Sequence, residues 1–357
     1  MMKIKIGKKK EKKSAITQAN IEENREEILA KGKKFKYPFQ YAKHRVVINT
    51  IAICIAALIA FVAVGWYELY RAQSTSEVAF RFTKVLGLPV GKVDGYSVKY
   101  SDYLMLYRSS LRSIERQQGA FDDSADSEQQ KLHYKRQALT LAEDYAYALA
   151  KNAEANVSVT DEEIDAVIEN HRTIGGERRS DEAFKGIIRD NFDLSMGEYR
   201  RLVMLSLAKM KYSEAFDETA KNAVNNIRTR LAENGGNMSA AIEGYTADGS
   251  ANFESVDSMV EVSNLDGGRA AKAAELANVG DISEPFVSRN GDGYYIVKLL
   301  AKEENRVRYE SIWVRFADFD KKMADLRGED GKIVEYIEIA SEVDSAEDNS
   351  EAEQPQE

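Results

Sequence analysis

Hydrophobic positions along the chain change their spacing several times, and each spacing predicts a different element. Residues 46–67 (VVINTIAICIAALIAFVAVGWY) run for 22 positions without a charge. About 20 apolar residues in a helix that rises 1.5 Å per residue cross a hydrocarbon core of about 30 Å. Trp66 and Tyr67 close the run, and such aromatic residues favour the membrane interface. The pattern predicts a single transmembrane helix that contacts membrane lipid.

A helical period governs residues 101–216, where apolar side chains recur every three or four positions. Two Ser/Thr-x-x-Glu capping boxes mark helix starts inside it, Thr160 with Glu163 and Ser195 with Glu198. Stripes of this kind are typical of contacts between packed helices. We therefore expect several helices that share one core.

A hairpin precedes these helices. Residues 89–100 (PVGKVDGYSVKY) carry Asp94-Gly95 between two short β-prone runs, and Asp-Gly is a preferred two-residue hairpin turn. The sequence predicts a mainly helical module over residues 89–217, joined to the membrane helix by a short helical stalk over residues 68–88.

The pattern changes again after residue 217. Residues 294–300 (YYIVKLL) form an almost unbroken apolar run of the kind found in a central strand, and residues 306–316 (RVRYESIWVRF) predict another strand. Residues 252–266 show no regular period. We expect a small antiparallel sheet domain with helices over residues 218–302, and an extension over 303–340 that completes its sheet. The predicted fold class is α+β.

Charge is divided sharply by the apolar run. Residues 1–45 hold 14 Lys and Arg against 5 Glu, a balance of +9, whereas residues 46–357 carry a balance of −18. The positive-inside rule places a basic arm in the cytoplasm. We therefore predict a single-pass cell-membrane protein, with residues 1–45 cytoplasmic and the acidic bulk extracytoplasmic. The Lys-rich stretch at residues 8–13 suits topology and anionic lipid better than nucleic acid, which we do not expect as a partner.

A cleavable signal peptide is the alternative to an anchor, because Ala63-Val64-Gly65 resembles a small-x-small cleavage site. A basic lead-in of 45 residues and so long an apolar run both exceed what signal peptides have. The sequence favours an anchor. At the other end, residues 341–357 contain seven acidic residues and neither a basic nor an aromatic one, which predicts a disordered acidic tail.

Composition narrows the chemistry. The lone cysteine, Cys54, excludes an intramolecular disulfide framework, and the three histidines, His44, His133 and His171, do not have zinc-site spacing. We find no nucleophile motif and no dinucleotide fingerprint. No metal site and no cofactor are predicted.

Three segments of the helical region are similar to the N-terminal chaperone module of exported foldases of the SurA and PrsA type. Residues 93–103 (VDGYSVKYSDY) resemble the opening hairpin of that module. Residues 157–164 (VSVTDEEI) resemble one of its helix starts, and residues 191–203 (NFDLSMGEYRRLV) another. The resemblance implies a protein that binds unfolded or nascent exported polypeptides.

The next region resembles a parvulin-type (PpiC) prolyl isomerase domain. Residues 237–250 (NMSAAIEGYTADGS) and 280–299 (GDISEPFVSRNGDGYYIVKL) are similar to two of that family's motifs. The family places two histidines under its proline pocket; here the corresponding positions are Tyr295 and Ser311. Prolyl isomerisation needs no covalent chemistry, because its barrier of about 18–20 kcal/mol lies in twisting the peptide bond. The hydroxyl groups of Tyr295 and Ser311 could still supply a hydrogen-bond network under the amide. The departures favour a domain that binds peptide without normal catalysis.

These resemblances lead to one main hypothesis, a membrane-anchored extracytoplasmic chaperone or foldase. The first alternative is an active peptidyl-prolyl cis–trans isomerase, and the second is an envelope scaffold without clients. No catalytic residue is predicted: Tyr295 and Ser311 are the degenerate positions, where the family has its two histidines. The candidates for peptide binding are Tyr245, Phe253, Met259, Phe286, Tyr294 and Tyr295.

The parvulin resemblance also raises a topological question, because the family's opening strand is missing before residue 220. Residues 307–314 match that strand and follow residues 294–300 after a short polar connection, a length that suits a hairpin. We predict that the two segments pair, which places Ser311 and Tyr295 on one pocket. In the rival interpretation, residues 307–314 open a truncated second domain.

Overall fold

The computed structural model describes residues 21–22, 24–29, 31, 44–174 and 177–340. It divides into two compact units, Met1–Glu68 and Leu69–Glu357. Most of the predicted basic arm and the whole of the predicted acidic tail lie outside the described residues. The fold is α+β with antiparallel sheets, which confirms the predicted class.

The apolar run forms a helix. Helix α1 spans Arg45–Trp66 and continues as a π-helical turn, Tyr67–Arg71. The continuous helix, Arg45–Arg71, is long and apolar enough to cross a membrane by length and composition. Its apolar side chains are exposed, Ile53 by 68% for example, so none of the described residues buries them.

A helical module follows, and its helices begin where the capping residues predict. The Ser76 hydroxyl accepts a hydrogen bond from the backbone amide of Ala79, in the first turn of its helix. Both predicted capping boxes are present, at Thr160 with Glu163 and at Ser195 with Glu198. The helices are α2 (Glu77–Leu86), α3 (Tyr100–Gln118), α4 (Ala125–Glu154), α5 (Asp161–Arg172), α6 (Asp181–Phe192) and α7 (Met196–Phe216).

Two small sheets belong to the module. The predicted hairpin is present as β1 (Pro89–Val93) and β2 (Tyr96–Lys99), and its turn residues Asp94 and Gly95 have φ of +47° and +86°. Such positive φ values are those of the two-residue turn that Asp-Gly favours. A two-stranded ribbon, β3 (Thr173–Ile174) and β4 (Glu177–Arg178), follows α5.

Residues 218–316 build a second core around a five-stranded antiparallel sheet. Helices α8 (Glu218–Glu233) and α9 (Met238–Ala241) come first, and α10 (Arg269–Glu275) interrupts the strands. The strands are β5 (Ala251–Ser255), β6 (Val260–Glu261), β7 (Phe286–Val287), β8 (Gly293–Glu303) and β9 (Arg306–Arg315). Their order is β5-β9-β8-β7, and β6 also pairs with β9.

The register confirms the predicted strand pairing. Strands β8 and β9 are antiparallel neighbours, with Tyr295 opposite Trp313 and Val297 opposite Ser311. Strand β9 therefore does not open a separate domain. The prediction that residues 252–266 are irregular was wrong, because β5 and β6 lie there and pair with β9. Both strands are short or mostly polar, so their period is not visible in the sequence.

Each face of this sheet is covered by different helices. Ile296, Ile312 and Val314 pack with α8 and α9. On the opposite face, Val297 and Tyr309 pack with α10. Strand alternation produces this division, because successive side chains point to opposite faces.

The chain then returns to the helical module. After β9 come α11 (Asp318–Gly328) and β10 (Ile333–Glu335), and β10 pairs with β1 to complete a sheet ordered β10-β1-β2. Phe319, Met323 and Leu326 of α11 are buried in the module core. The sheet region is thus inserted between α7 and α11.

Two predicted boundaries need correction. The extension over residues 303–340 completes the inserted sheet only through β9, because everything after it packs on the helical module. The segment over residues 68–88 is not a free stalk either. Leu69, Ala79 and Phe80 are buried in the module core. Burying these apolar side chains removes them from water, which fixes the segment to the module.

Candidate functional site

The side chains predicted to bind peptide lie on both faces of the five-stranded sheet. Tyr245, Phe253 and Tyr294 pack on the face that α8 and α9 cover. Phe286 and Tyr295 lie near each other on the opposite face, with ring centroids 6.0 Å apart. The sixth, Met259, precedes β6, where its carbonyl accepts a hydrogen bond from Arg306. The six do not form one surface.

Tyr295 and Ser311 share a face, as the predicted strand pairing requires, and they share one neighbour. The guanidinium of Arg269 lies 5.0 Å from the centroid of the Tyr295 ring, and its Nη1 lies 3.3 Å from Ser311 Oγ. Both positions are closed to solvent, with Tyr295 5% and Ser311 1% exposed. A proline ring would have to displace Arg269 or its surroundings to reach them.

Around Arg269 the polar groups are already paired. Arg269 forms an ion pair with Glu254, and its Nε donates to the Asp266 carbonyl at 2.8 Å. The hydroxyl of Tyr309 donates to Asp266 Oδ2 at 2.6 Å. Burial raises the pKa of Tyr309 and of Tyr295, so both phenols stay protonated at neutral pH. These side chains satisfy one another through hydrogen bonds and an ion pair, as in a buried polar network that stabilises the fold.

An open cleft lies instead where the inserted sheet region meets the helical module. Two adjoining cavities, of about 400 and 220 Å³, both reach His171, Arg289 and Asn290. We call them together the junction cleft. Its module wall is mainly apolar, and among the side chains that form it are Val167, Tyr199, Leu202, Val203, Leu207 and Met210.

The opposite wall of the junction cleft is polar. It is formed by the turn between β7 and β8, where Arg289 and Asn290 are exposed and Gly291 lies against Met210. Arg289 Nη1 reaches across to Asn170 Oδ1 at 3.4 Å. An apolar wall that faces a few amide and guanidinium groups suits an extended peptide, because the wall takes side chains while the polar groups pair with backbone.

One titratable pair lies on the module wall of the junction cleft. His171 Nδ1 and the Tyr199 hydroxyl are joined by a hydrogen bond of 2.7 Å. Partial burial lowers the pKa of His171 and raises that of Tyr199. Both side chains are therefore neutral at neutral pH, so the module wall carries no charge here and favours apolar occupants.

The floor of the smaller cavity connects the cleft to Tyr295. Gly267 lines that cavity, and a Cβ at this glycine would lie 3.2 Å from the Tyr295 ring. Tyr295 thus supports the cleft from below. None of the six predicted peptide-binding residues is among those that line the junction cleft. Sequence reasoning missed Arg289, Asn290 and Met210, whose only signal was a turn and a core-like helical stripe.

The helical part of the chain thus consists of an opening hairpin, a set of capped helices and a cleft on α5 and α7. Comparison with known families agrees: residues 39–213 match the SurA-like N-terminal domain. The match begins just before α1 and ends near the end of α7. No curated protein matches the chain. The likeness of residues 218–302 to parvulins stays a prediction.

Proposed function

We propose that this chain is a membrane-anchored, extracytoplasmic chaperone that holds unfolded segments of exported proteins in the junction cleft. The SurA-like match over residues 39–213 supports a client-binding role. The observation that carries the proposal is the apolar, uncharged wall of the cleft, on helices inside that match. Clients bind as extended chains, because an apolar wall then takes their side chains while Arg289 and Asn290 pair with their backbone.

In this proposal the inserted sheet region is a binding partner of the helical module and not an enzyme. The support is the closed face around Tyr295 and Ser311, where Arg269 occupies the space above both residues. We expect the full chain to leave the isomerisation rate of a proline peptide at its uncatalysed value in a protease-coupled assay. Turnover above background would favour the isomerase instead.

The cleft can be tested by a pair of methionines on one helix. Met210 and Met204 are both half-buried on α7, but only Met210 lines the cleft. We expect Met210→Ser to weaken binding of an unfolded fluorescent peptide about fivefold, since the apolar contact that is lost contributes roughly 1 kcal/mol. Met204→Ser, the matched control, should bind as the wild type does.

The measurement is fluorescence anisotropy of the peptide with the full chain in detergent micelles. Circular dichroism of both variants checks that each is folded. Equal affinity for the two variants would mean that clients do not bind in the junction cleft. A wild-type chain that neither binds the peptide nor slows aggregation of an unfolded test protein would favour the scaffold alternative.

The anchor and its direction are tested separately. We expect protease added outside intact cells to digest the acidic bulk and to leave residues 1–45 protected, because the basic arm precedes the apolar helix. Digestion of the arm under the same conditions would reverse the proposed orientation.

A further inference from the structure

The globular core begins almost at the end of the apolar helix. Leu69 is 1% exposed and its carbonyl accepts a hydrogen bond of 2.6 Å from the Tyr100 hydroxyl. The Tyr70 hydroxyl donates to the Pro89 carbonyl at 2.7 Å. Leu69 and Tyr70 therefore belong to the folded module and not to a linker.

Chain length alone fixes how far this core can be from the bilayer. Leu69 comes two residues after Tyr67, and two residues reach at most about 7 Å. The headgroup layer on each side of the hydrocarbon is itself about 5–8 Å thick. If Tyr67 marks the interface, as the proposed anchor requires, the core begins within the headgroup layer. Some surface of the module must then touch lipid.

Exposed apolar side chains indicate which surface that is. Among the described residues after residue 68, eight large hydrophobic side chains are exposed, by between 37% and 83%. Five of them belong to the two elements that flank the chain as it leaves the helix. These are Val78, Val85 and Leu86 on α2, and Val334 and Tyr336 on or beside β10.

Helix α2 presents these side chains as one stripe. Val78 and Val85 are seven residues apart and so lie on the same face. They are 77% and 83% exposed. The opposite face, which includes Phe80, is buried in the module core. The helix is thus fastened to the module on one side and offers apolar side chains on the other.

Beside β10, Tyr336 ties the second patch to the start of the module. Its ring lies 6.4 Å from that of Tyr70, edge to face. Val334 and Tyr336 are two positions apart and share the side of β10 that faces away from the core. Gln73 also donates to the Glu338 carbonyl at 2.6 Å. The segment between the apolar helix and α2 therefore contacts the same C-terminal strand region.

Cations surround α2 although the chain beyond residue 45 is strongly acidic. Arg81 and Lys84 are 76% and 54% exposed, each beside one carboxylate. Their side chains can also reach lipid phosphate groups, because both are more than half exposed. A cavity of about 630 Å³ next to α2 is lined by Arg81, Lys84, Lys185 and Arg189 and by the carboxylates of Glu77, Asp193 and Glu198. A helix that carries an exposed apolar stripe together with Lys and Arg is typical of a lipid interface.

We infer that the exposed stripe of α2, together with Val334 and Tyr336, rests in the headgroup region of the leaflet at which the apolar helix ends. The occupant of this surface is lipid and not a protein. This inference rests on the anchor in the proposed function but not on client binding. Its consequence is a module held directly on the membrane surface, which fixes the direction in which the junction cleft opens.

Two exposed valines provide the test. In a Cys54→Ser background, Val85→Cys on α2 and Val279→Cys in the sheet region each give one exposed labelling site. Val279 is 65% exposed and serves as the matched control. The full chain, carrying an environment-sensitive fluorophore at either site, is reconstituted in phosphatidylethanolamine–phosphatidylglycerol vesicles.

The quencher is a lipid that carries a spin label near its headgroup. We expect it to quench the Val85→Cys fluorophore at least threefold more than the Val279→Cys fluorophore. Iodide in solution should show the reverse order. Equal quenching at the two sites would overturn the inference. A Val85→Cys fluorophore shielded from iodide but not quenched by lipid would also overturn it, since a protein would then cover α2.

Two further readouts separate this inference from the proposed function. Extraction of the unlabelled chain from vesicles at alkaline pH would show that the anchor itself is absent, and both proposals about the membrane would fall. Peptide binding by the vesicle-bound chain reports the junction cleft alone. Intact peptide binding together with unquenched Val85→Cys would overturn only the lipid contact.

Discussion

At the scale of single residues, a buried carboxylate makes stability depend on pH. Glu143 on α4 is 3% exposed, with Arg327 of α11 3.7 Å away and Asp144, Arg136 and Glu335 also close enough to act on it. Burial first, and then the charge of Glu335, raise the pKa of Glu143 to about 7. The carboxyl therefore takes up a proton in the folded state that the unfolded chain has already lost.

This pKa predicts the sign of the pH dependence. The unfolded carboxyl titrates near 4.5, so between about pH 4.5 and pH 7 the folded state binds the extra proton and stability falls as pH rises. We expect Glu143→Gln to stabilise the chain by about 3 kcal/mol at pH 8 and by almost nothing at pH 4.5. Calorimetry at the two pH values measures the difference.

A suitable control for this prediction is Glu162→Gln, because Glu162 is exposed on α5. It should change the unfolding temperature little at either pH. A gain from Glu143→Gln that is equal at pH 4.5 and pH 8 would contradict the role of the buried charge.

Gly267 shows a second constraint of one residue, in the floor of the junction cleft. Its φ is +76°, and a Cβ there would lie 2.9 Å from Ser288 Oγ. We expect Gly267→Ala to destabilise the sheet region by about 2 kcal/mol, through backbone strain and this contact. Gly249→Ala is the matched control, because φ is +71° there and no atom lies within 4 Å of the added Cβ. Thermal unfolding should show the larger loss at Gly267; equal losses would mean that only the backbone matters.

At the scale of elements, one aspartate fastens the two points where the inserted region leaves and rejoins the module. Asp217 is 1% exposed. Its Oδ1 accepts from the Ala220 amide at 2.8 Å, which caps α8. Its Oδ2 accepts from the amides of Ala317 and Asp318 at 2.7 and 3.0 Å, at the start of α11. One carboxylate thus holds two helix starts that are distant in the sequence.

We expect Asp217→Ala to cost about 2–3 kcal/mol, because it leaves three amides without their acceptor. Hydrogen exchange should become faster at Ala220, Ala317 and Asp318 together. Glu218→Ala, at an exposed neighbouring position, should change none of the three. Faster exchange at Ala220 alone would show that Asp217 is only a helix cap.

At the scale of the whole molecule, the C-terminal return is part of the helical module. Phe319, Met323, Leu326, Ile337 and Ile339 are all buried in its core. At roughly 2 kcal/mol each, their loss is comparable to the whole stability of a typical domain. We expect a chain that ends after Phe316 to lose protection of α3, α4 and α7 in hydrogen exchange while the sheet region keeps its own. A chain that ends after Ala340 is the control and should behave as the full chain does.

A deletion of residues 303–340 would go further, because it also removes β9 from the centre of the inserted sheet. We expect that variant to lose both cores. If the helical module stays protected from hydrogen exchange after either deletion, α11 and β10 do not contribute to its stability.

Local interactions are what the sequence determined by itself. The apolar run of α1, the capping boxes at Thr160 and Ser195 and the Asp94-Gly95 turn each depend on residues a few positions apart. Their patterns were therefore readable in the sequence. The pairing of β8 with β9 was also predictable, because the connection between them is short and polar.

Only the tertiary structure decided the features that join distant parts of the chain. Lys332 pairs with Asp94 across 238 residues, and β10 closes a sheet that begins at β1. The junction cleft likewise exists only because a turn in the inserted region comes to lie against α5 and α7. Contacts of this kind depend on how two folded surfaces fit together, and no periodicity in either segment records its partner.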